Sequence, residues 1–255
     1  MVARAASRQP GRAGTGPPCL SSAFQLNSIE SAGMLRRVLA AFLFSLASAS
    51  QAGGHFDVDD AGTLDPGRCQ YEVWGGRFGE AKVTDYHLGP ACRVGPVELG
   101  LNIDRYSTPG EHAYFLGPQV KWTFLGQDPE ARLAAAVSAT MTFDATRGGH
   151  TGGQLVIPVS WRALDSLWIH ANLGADWAAG IGERTGRGGL QAEWALNDTV
   201  SLIFERFRAV GAWTSRGGLR WSLNPSVSID LSASRSGTQR VWGYAIGLNH
   251  EFPGF

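Results

Sequence analysis

The sequence predicts an all-β fold: a closed, antiparallel, up-and-down transmembrane β-barrel of about twelve strands. Three observations predict this fold. From residue 69 onward, apolar and polar residues alternate, which indicates strands with one apolar and one polar face. The number of alternating segments is even, and tryptophans concentrate near the segment ends. No apolar run after residue 52 is long enough for a transmembrane helix.

The alternation gives the strand boundaries. In residues 97–104, for example, Val97 and Leu99 lie on one face, and Glu98 and Asp104 lie on the other. Helical spacing does not explain such runs. Twelve segments follow this pattern: 69–77, 80–92, 95–105, 112–125, 131–144, 153–163, 166–178, 187–196, 199–208, 211–223, 226–235 and 240–252.

The connections between segments also follow a pattern. They are compact after even-numbered segments, whereas most of those after odd-numbered segments are longer or rich in glycine, at 105–112, 145–152, 179–189 and 236–239. The short connection at 209–211 is the exception. Short periplasmic turns and longer extracellular loops are typical of outer-membrane barrels. A soluble β-sandwich has no reason to show this pattern.

Aromatic residues support a membrane location. Interfacial rings of an outer-membrane barrel form girdles at the two edges of its apolar band. The last segment closes on Phe252, with Phe255 three residues later, and resembles the C-terminal signal that the barrel-assembly machinery recognises. We expect that machinery and outer-membrane lipid as partners. The expected girdle residues are Trp122, Trp161, Trp177, Trp194, Trp213, Trp221 and Trp242.

The N-terminal region predicts export. Met34 opens a segment with two arginines, a short apolar run and small residues, which is the order of a secretory signal peptide. We therefore expect residues 34–52 to be the signal peptide and residues 1–33 to be a misassigned upstream extension; a true extension is the alternative. Residues 53–68 would then form an acidic periplasmic lead-in, and residues 69–255 the barrel in the outer membrane of a Gram-negative bacterium.

Charge limits the classes of partner, and the cysteine content predicts a disulfide bond. The chain has 22 basic and 22 acidic residues; the part after residue 52 keeps 17 basic and 21 acidic ones. No basic stripe favours nucleic acid, so we expect no nucleic-acid partner. Cys19 lies in the extension, which leaves Cys69 and Cys92 in the exported part. Two cysteines in an exported protein predict one disulfide bond, at the periplasmic end of the first two strands.

A short motif carries a family resemblance. Residues 59–63 read Asp-Asp-Ala-Gly-Thr, Gly67 follows, and Tyr71 and Glu72 stand in the first strand. This pattern resembles outer-membrane proteins of the MetA-pathway of phenol degradation family. The resemblance implies a barrel, with a loose association with the catabolism of aromatic compounds. It covers the start of the exported chain, and the two cysteines do not belong to the family's pattern.

Alternation places polar side chains in a shared interior, because a sheet that spans a bilayer must close. Twelve strands lie between small filled barrels and large open porins. The sequence therefore predicts passive uptake of small solutes, including aromatic or amphipathic ones, through a narrow lumen; a closed structural barrel whose charges pair is the alternative. The lumen-lining candidates are Glu98, Asp104, Lys121, Arg162, His170, Asp176, Glu193, Glu205, Arg216, Arg220 and Asp230.

Other chemistry has weaker support. A lipid-modifying enzyme would need a nucleophile and a base on the outer face, but His170 and Ser138 are both expected to face the lumen. The acidic run around His55 has no loop that completes a metal site, so we expect a solvated lead-in, no metal and no cofactor. Arg184 and Arg187 are candidates for contact with lipopolysaccharide.

Overall fold

The described part of the chain folds into twelve antiparallel strands that form a closed barrel. Each strand pairs with its neighbours in sequence, and the first strand pairs with the last to close the sheet. This confirms the predicted fold class. No helix in the described part of the chain is long and apolar enough to cross a membrane. The predicted extension and signal peptide lie outside the described residues. A computed structural model describes residues 55–79, 83–128, 130–180 and 182–254.

The strands agree with the predicted segments to within three residues at either end. They run β1 Arg68–Phe78, β2 Val83–Val94, β3 Val97–Thr108, β4 Glu111–Leu125, β5 Leu133–Asp144, β6 His150–Leu164, β7 Leu167–Ala178, β8 Arg184–Ala195, β9 Val200–Ala209, β10 Ala212–Asn224, β11 Val227–Ser236 and β12 Val241–Pro253. Because each strand rises about 3.3 Å per residue, strands of this length can cross a bilayer when tilted.

The two faces of the sheet differ sharply in polarity. Buried polar side chains such as Lys121, Glu205 and Asp230 alternate along their strands with exposed apolar ones. Leu173 on β7 is 73% exposed, and Phe204 on β9 is 57% exposed. The barrel is therefore polar inside and apolar outside, the reverse of a soluble protein.

The two ends of the barrel are distinct. We call the end that holds Arg68, Pro253 and the connections after even-numbered strands the terminal rim, and the opposite end the distal rim. Four half-exposed tryptophans of even-numbered strands lie near the terminal rim, and two lie near the distal rim. Trp177, the seventh expected girdle residue, is also near the distal rim but is less exposed. The six half-exposed rings are Trp122, Trp161, Trp194 and Trp221 at the terminal rim, and Trp213 and Trp242 at the distal rim.

The predicted difference in connection length is wrong. Thr108 pairs with Glu111, so a tight turn replaces the loop expected at 105–112. The glycine-rich stretch at 184–189 belongs to β8 rather than to a loop. Its glycines permit close strand contact: a Cβ on Gly189 would lie 2.6 Å from the Cβ of Phe207. The glycines of this stretch predict a loop, but in the structure they allow two strands to approach closely.

The predicted disulfide is confirmed. Cys69 on β1 stands directly opposite Cys92 on β2, and their Cα atoms are 4.0 Å apart. Both residues lie on the same face of the sheet as exposed apolar neighbours, Val73 on β1 and Leu88 on β2. The bond therefore lies on the outer side of the barrel at the terminal rim, where it joins the open end of the first hairpin.

Candidate functional site: a lumen closed by the N-terminal segment

Most of the segment before β1 lies inside the barrel. We call residues 55–64 the plug; Asp65, Pro66 and Gly67, which connect it to β1, are exposed. Val58 is 1% exposed and Ala61 is 0% exposed, while His55, Asp60 and Leu64 are also buried. The expectation of a solvated lead-in is therefore wrong for this part of the chain. The acidic composition suggested solvation, but lumen cations and hydrogen-bond partners compensate the buried polar groups.

Wall side chains satisfy the backbone of the plug. The amides of Asp57 and Val58 donate to the carboxylate of Glu205, at 3.1 and 3.0 Å to Oε2. The amide of Asp59 donates to Oδ1 of Asn172, whose Nδ2 donates back to the Asp59 carbonyl oxygen, both at 2.7 Å. This exchange resembles one step of strand pairing, made by an amide side chain.

Further hydrogen bonds continue toward the terminal rim. The amide of Ala61 donates to Oγ of Ser160 at 2.8 Å, and the Ala61 carbonyl accepts from Oγ1 of Thr123 at 2.7 Å. The amide of Leu64 donates to Oε2 of Glu98 at 2.9 Å. Arg93 donates to the Leu64 carbonyl oxygen at 2.9 Å. The plug thus has specific partners along its whole length, although it belongs to no strand.

Ion pairs add a second set of anchors. Nζ of Lys121 lies 2.9 Å from Oδ1 of Asp59 and 3.1 Å from Oδ1 of Asp60. Nη2 of Arg216 lies 3.0 Å from Oδ2 of Asp57, and its Nη1 lies 3.0 Å from Oε1 of Glu205. These cations neutralise carboxylates that would otherwise be costly to bury.

Small residues of the wall make room for the plug. Ala61 packs with Ala134 and Ala136 of β5 in a small apolar cluster. A Cβ on Gly218 would come within 3.0 Å of the Phe56 ring, and one on Gly247 within 3.0 Å of Nδ1 of His55. Larger side chains at these wall positions would occupy the space of the plug.

His55 ends the described part of the plug as a neutral ring. It stacks on Phe56 at a centroid distance of 4.7 Å and meets the edge of Trp74 at 6.5 Å. Burial lowers the pKa of His55 to about 4, and the guanidinium of Arg216 also lowers it. The ring is therefore uncharged at neutral pH and behaves as part of the aromatic packing.

A separate buried network lies on the inner wall near the terminal rim. Nε and Nη2 of Arg220 donate to the carboxylate of Asp230 at 2.8 and 2.9 Å, and Nη1 lies 3.7 Å from Oε2 of Glu193. Asn249 also donates to Asp230, at 2.9 Å. These groups tie β8, β10, β11 and β12 together.

The distal half of the lumen holds a cavity of about 870 Å³, which we call the vestibule. The plug residues His55, Phe56, Asp57 and Asp59 line one part of it, and the remaining lining comes from the strands and distal connections. Two arginines, Arg187 and Arg216, line it together with many more acidic groups. The lining carboxylates are Asp57, Asp59, Glu72, Asp85, Asp104, Asp176 and Glu183.

One wall of the vestibule combines aromatic rings with carboxylates. Trp74 stacks on His87 at 5.1 Å, and His87 contacts Asp104 at 2.7 Å and Glu72 at 3.1 Å. Asp85, which is 5% exposed, also lines the vestibule, and its Oδ1 has no hydrogen-bond partner among the described residues. Phe78, Tyr106 and Phe115 complete this wall.

Nine of the eleven lumen candidates occupy three environments, and Arg162 and His170 lie outside them. Glu98, Lys121, Glu205 and Arg216 hold the plug; Glu193, Arg220 and Asp230 form the network near the terminal rim. Asp104 and Asp176 line the vestibule. Arg162 lies 3.6 Å from Glu130 near the terminal rim, and His170 is 1% exposed.

The sequence also offers candidates for catalysis, for metal binding and for contact with lipopolysaccharide. Nδ1 of His170 lies 2.8 Å from Oγ of Ser160, not beside Ser138, and this pair is buried behind the plug. No group of three or more His, Cys, Asp or Glu side chains among the described residues is arranged to hold a metal ion. Arg187 faces the lumen and contacts Asp176 at 3.0 Å, so its expected contact with lipopolysaccharide is wrong; Arg184 is exposed.

The sequence pattern does not predict the plug. The features that relate to it are ambiguous: an acidic run near Asp59, together with inward-facing glycines at 218 and 247. The strand pattern says which residues face the lumen, but it does not say what fills it.

Comparisons with known proteins agree with this architecture. The sequence model of the family described as "Uncharacterised conserved protein UCP029691" matches residues 40–252. No curated protein has a significantly similar sequence. The family that matches is not the MetA-pathway family, so the comparisons support the barrel that the resemblance implied and not the family itself.

Solved porin structures have a similar fold. The NanC porin superposes with a TM-score of 0.56 at 13% identity, and the match covers 71% of this chain and 98% of that one. The KdgM porin gives 0.59 at 7% identity, covering 72% and 99%. KdgM in complex with disordered oligogalacturonate gives 0.53 at 8% identity, covering 72% and 99%. At these identities, the likeness concerns the fold alone.

Proposed function

The chain belongs to the family of "Uncharacterised conserved protein UCP029691", and we propose that it is an outer-membrane barrel of a Gram-negative bacterium that takes up small solutes passively. In the closed state described above, its own plug occupies the lumen. Solute passage then requires the plug to leave its wall partners, at least in part.

The outer surface supports the membrane location. Exposed leucines, isoleucines and valines cover the middle of the barrel, between two girdles of tryptophan. On β10, Trp213 and Trp221 are separated by about 27 Å along the strand, at about 3.4 Å per residue. A strand tilt of about 40° reduces this to a height of about 20 Å, close to the apolar band of outer-membrane barrels. Burial in hydrocarbon explains an apolar exterior that water would disfavour.

The observation that carries the uptake proposal is the chemistry of the plug contacts. Most are hydrogen bonds and ion pairs to polar wall groups, and only Val58, Ala61 and Leu64 are buried apolar residues of the plug. Water can replace polar partners when the plug moves, so its release exposes little apolar surface. A permanent core would be expected to contain more apolar packing.

The vestibule favours certain solutes. Its carboxylates outnumber its arginines, which disfavours anions. Rings such as Trp74, Tyr106 and Phe115 can stack on aromatic solutes or attract cations. We therefore propose neutral or cationic amphipathic solutes, including aromatic ones. In this respect the proposal differs from the anionic oligogalacturonate that the KdgM structure names as its ligand.

The C-terminal strand is the proposed contact with the barrel-assembly machinery. Strand β12, Val241–Pro253, presents Trp242, Tyr244 and Ile246 outward, and each is more than half exposed. The strand closes the barrel by pairing with β1, so it must be positioned before closure.

Solute flux into proteoliposomes tests the uptake proposal. Lys121→Met removes the cation that neutralises Asp59 and Asp60, while hydration of both carboxylates in a displaced plug remains possible. Losing one partner of a buried pair typically costs about 3–5 kcal/mol, so we expect a rise in choline entry of about tenfold or more. Stopped-flow light scattering measures the entry rates.

Arg132→Met is the matched control, because Arg132 is 70% exposed and makes a long, exposed ion pair of 3.8 Å with Asp165. It should leave the entry rates unchanged. Faster entry of glucuronate than of choline would contradict the proposed solute class. Negligible entry through both Lys121→Met and the wild type, with both proteins folded, would favour a closed structural barrel instead.

A further inference from the structure

The strands point six arginines and no acidic side chain outward. Every acidic residue of the described strands lies on the inner face, because side chains alternate along a strand and the exposed apolar neighbours point outward. The outward-facing arginines all lie in the part of their strand nearest the distal rim. We call these six residues the arginine belt: Arg77, Arg105, Arg184, Arg206, Arg208 and Arg235.

Aromatic rings hold several of these guanidinium groups. Arg206 lies 5.1 Å from the centroid of the Trp213 ring, and Arg235 lies 5.5 Å from that of Trp242. Arg105 lies 5.9 Å from the Tyr86 ring and 5.9 Å from the Tyr114 ring. Stacking keeps the charge at the level of the distal aromatic girdle while leaving donors free for a ligand.

Two belt residues form a row across neighbouring strands. Arg206 on β9 pairs in register with Ser215 on β10, and Ser215 pairs with Arg235 on β11. Nη1 of Arg206 donates to Oγ of Ser215 at 2.9 Å. Two strand spacings separate the arginine Cα atoms by about 10 Å. One large headgroup with two phosphates could contact both guanidinium groups.

The terminal rim has no such belt. Its outward positions carry apolar and aromatic residues, among them Leu99, Trp122 and Trp161, and no charged side chain of the described strands. An outward cation at a membrane interface is stabilised by anionic headgroups, and a one-sided belt indicates that the two leaflets differ in charge density.

We propose that the arginine belt binds the phosphates of lipopolysaccharide in the outer leaflet, with Arg206 and Arg235 as its centre. The proposal rests on the membrane location proposed above, but not on solute uptake. It also fixes the orientation, with the distal rim and the vestibule open to the outside. Arginine suits this ligand because its guanidinium donates two hydrogen bonds to one phosphate.

Binding of bisphosphorylated lipid A to the purified, folded protein in neutral detergent micelles tests the proposal, with native mass spectrometry as the readout. The triple variant Arg105→Gln, Arg206→Gln, Arg235→Gln should bind at least about tenfold more weakly, because it removes three guanidinium groups that can donate charge-assisted hydrogen bonds to phosphate. The same triple change to Lys, which keeps the charge, should retain most of the binding. Arg132→Gln at the terminal rim should bind as the wild type does.

Four results would overturn the proposal. The first three are equal binding of lipid A without phosphates, unchanged binding by the glutamine variant, and displacement of lipid A by millimolar inorganic phosphate, which would indicate a site for the free anion. Equal affinity for phosphatidylglycerol would show a general anionic-lipid surface and would also contradict it. A heat-modifiable gel shift verifies folding of each variant, so a failure here is distinct from a failure of solute uptake.

Discussion

The disulfide bond between Cys69 and Cys92 links the two strands of the first hairpin. The two cysteines stand opposite each other at the terminal rim, and the bond closes a loop with a sequence separation of 23. Such a constraint on the unfolded chain stabilises the fold by roughly 3 kcal/mol. We expect the double variant Cys69→Ser, Cys92→Ser to unfold in urea with that loss of free energy. A stability equal to that of the wild type would contradict this account.

Single residues also show how far the sequence could be interpreted. Alternation identified the side on which Lys121 and Glu205 lie, because side-chain direction in a strand depends only on local parity. It did not identify their partners Asp59 and Asp57, since these contacts span 62 and 148 residues along the chain. Nothing local in the sequence specifies such long-range pairs.

The plug is the decisive feature at the element scale. Its residues follow neither strand nor helix periodicity, so no pattern in the sequence distinguished a buried segment from a solvated one. The twelve strands, in contrast, repeat one pattern and have a single way to bury polar edges, which is closure. The fold was therefore predictable, and the content of the lumen was not.

Thiol labelling tests the position of the plug. Ala61 is 0% exposed and packs against Ala134 and Ala136, so a cysteine at position 61 should be protected in the folded protein. We expect a maleimide too large for the lumen to label Ala61→Cys at least about a hundredfold more slowly than Asp198→Cys on an exposed turn, because labelling must await opening. Comparable rates at the two positions would show that the plug does not occupy the lumen.

The distribution of polarity defines the molecule as a whole. Leu173 is the most exposed large apolar residue of the strands, in the middle of β7, whereas Leu164 ends β6 at the terminal rim. In a bilayer, Leu173→Arg should lower the free energy of unfolding by about 2–4 kcal/mol, and Leu164→Arg by about 0–1 kcal/mol. Equal, small effects in phospholipid vesicles would contradict a membrane-embedded exterior.

The N-terminal segment of this protein closes its own membrane barrel. Single-channel recording in planar bilayers distinguishes a plugged barrel from an open one, by comparing the wild type with a chain that lacks residues 55–64. The wild type should be closed most of the time with brief openings, and the shortened chain should show sustained, uniform current steps. Sustained steps of equal size and frequency in both proteins would contradict the plug, and silence in both folded proteins would contradict uptake.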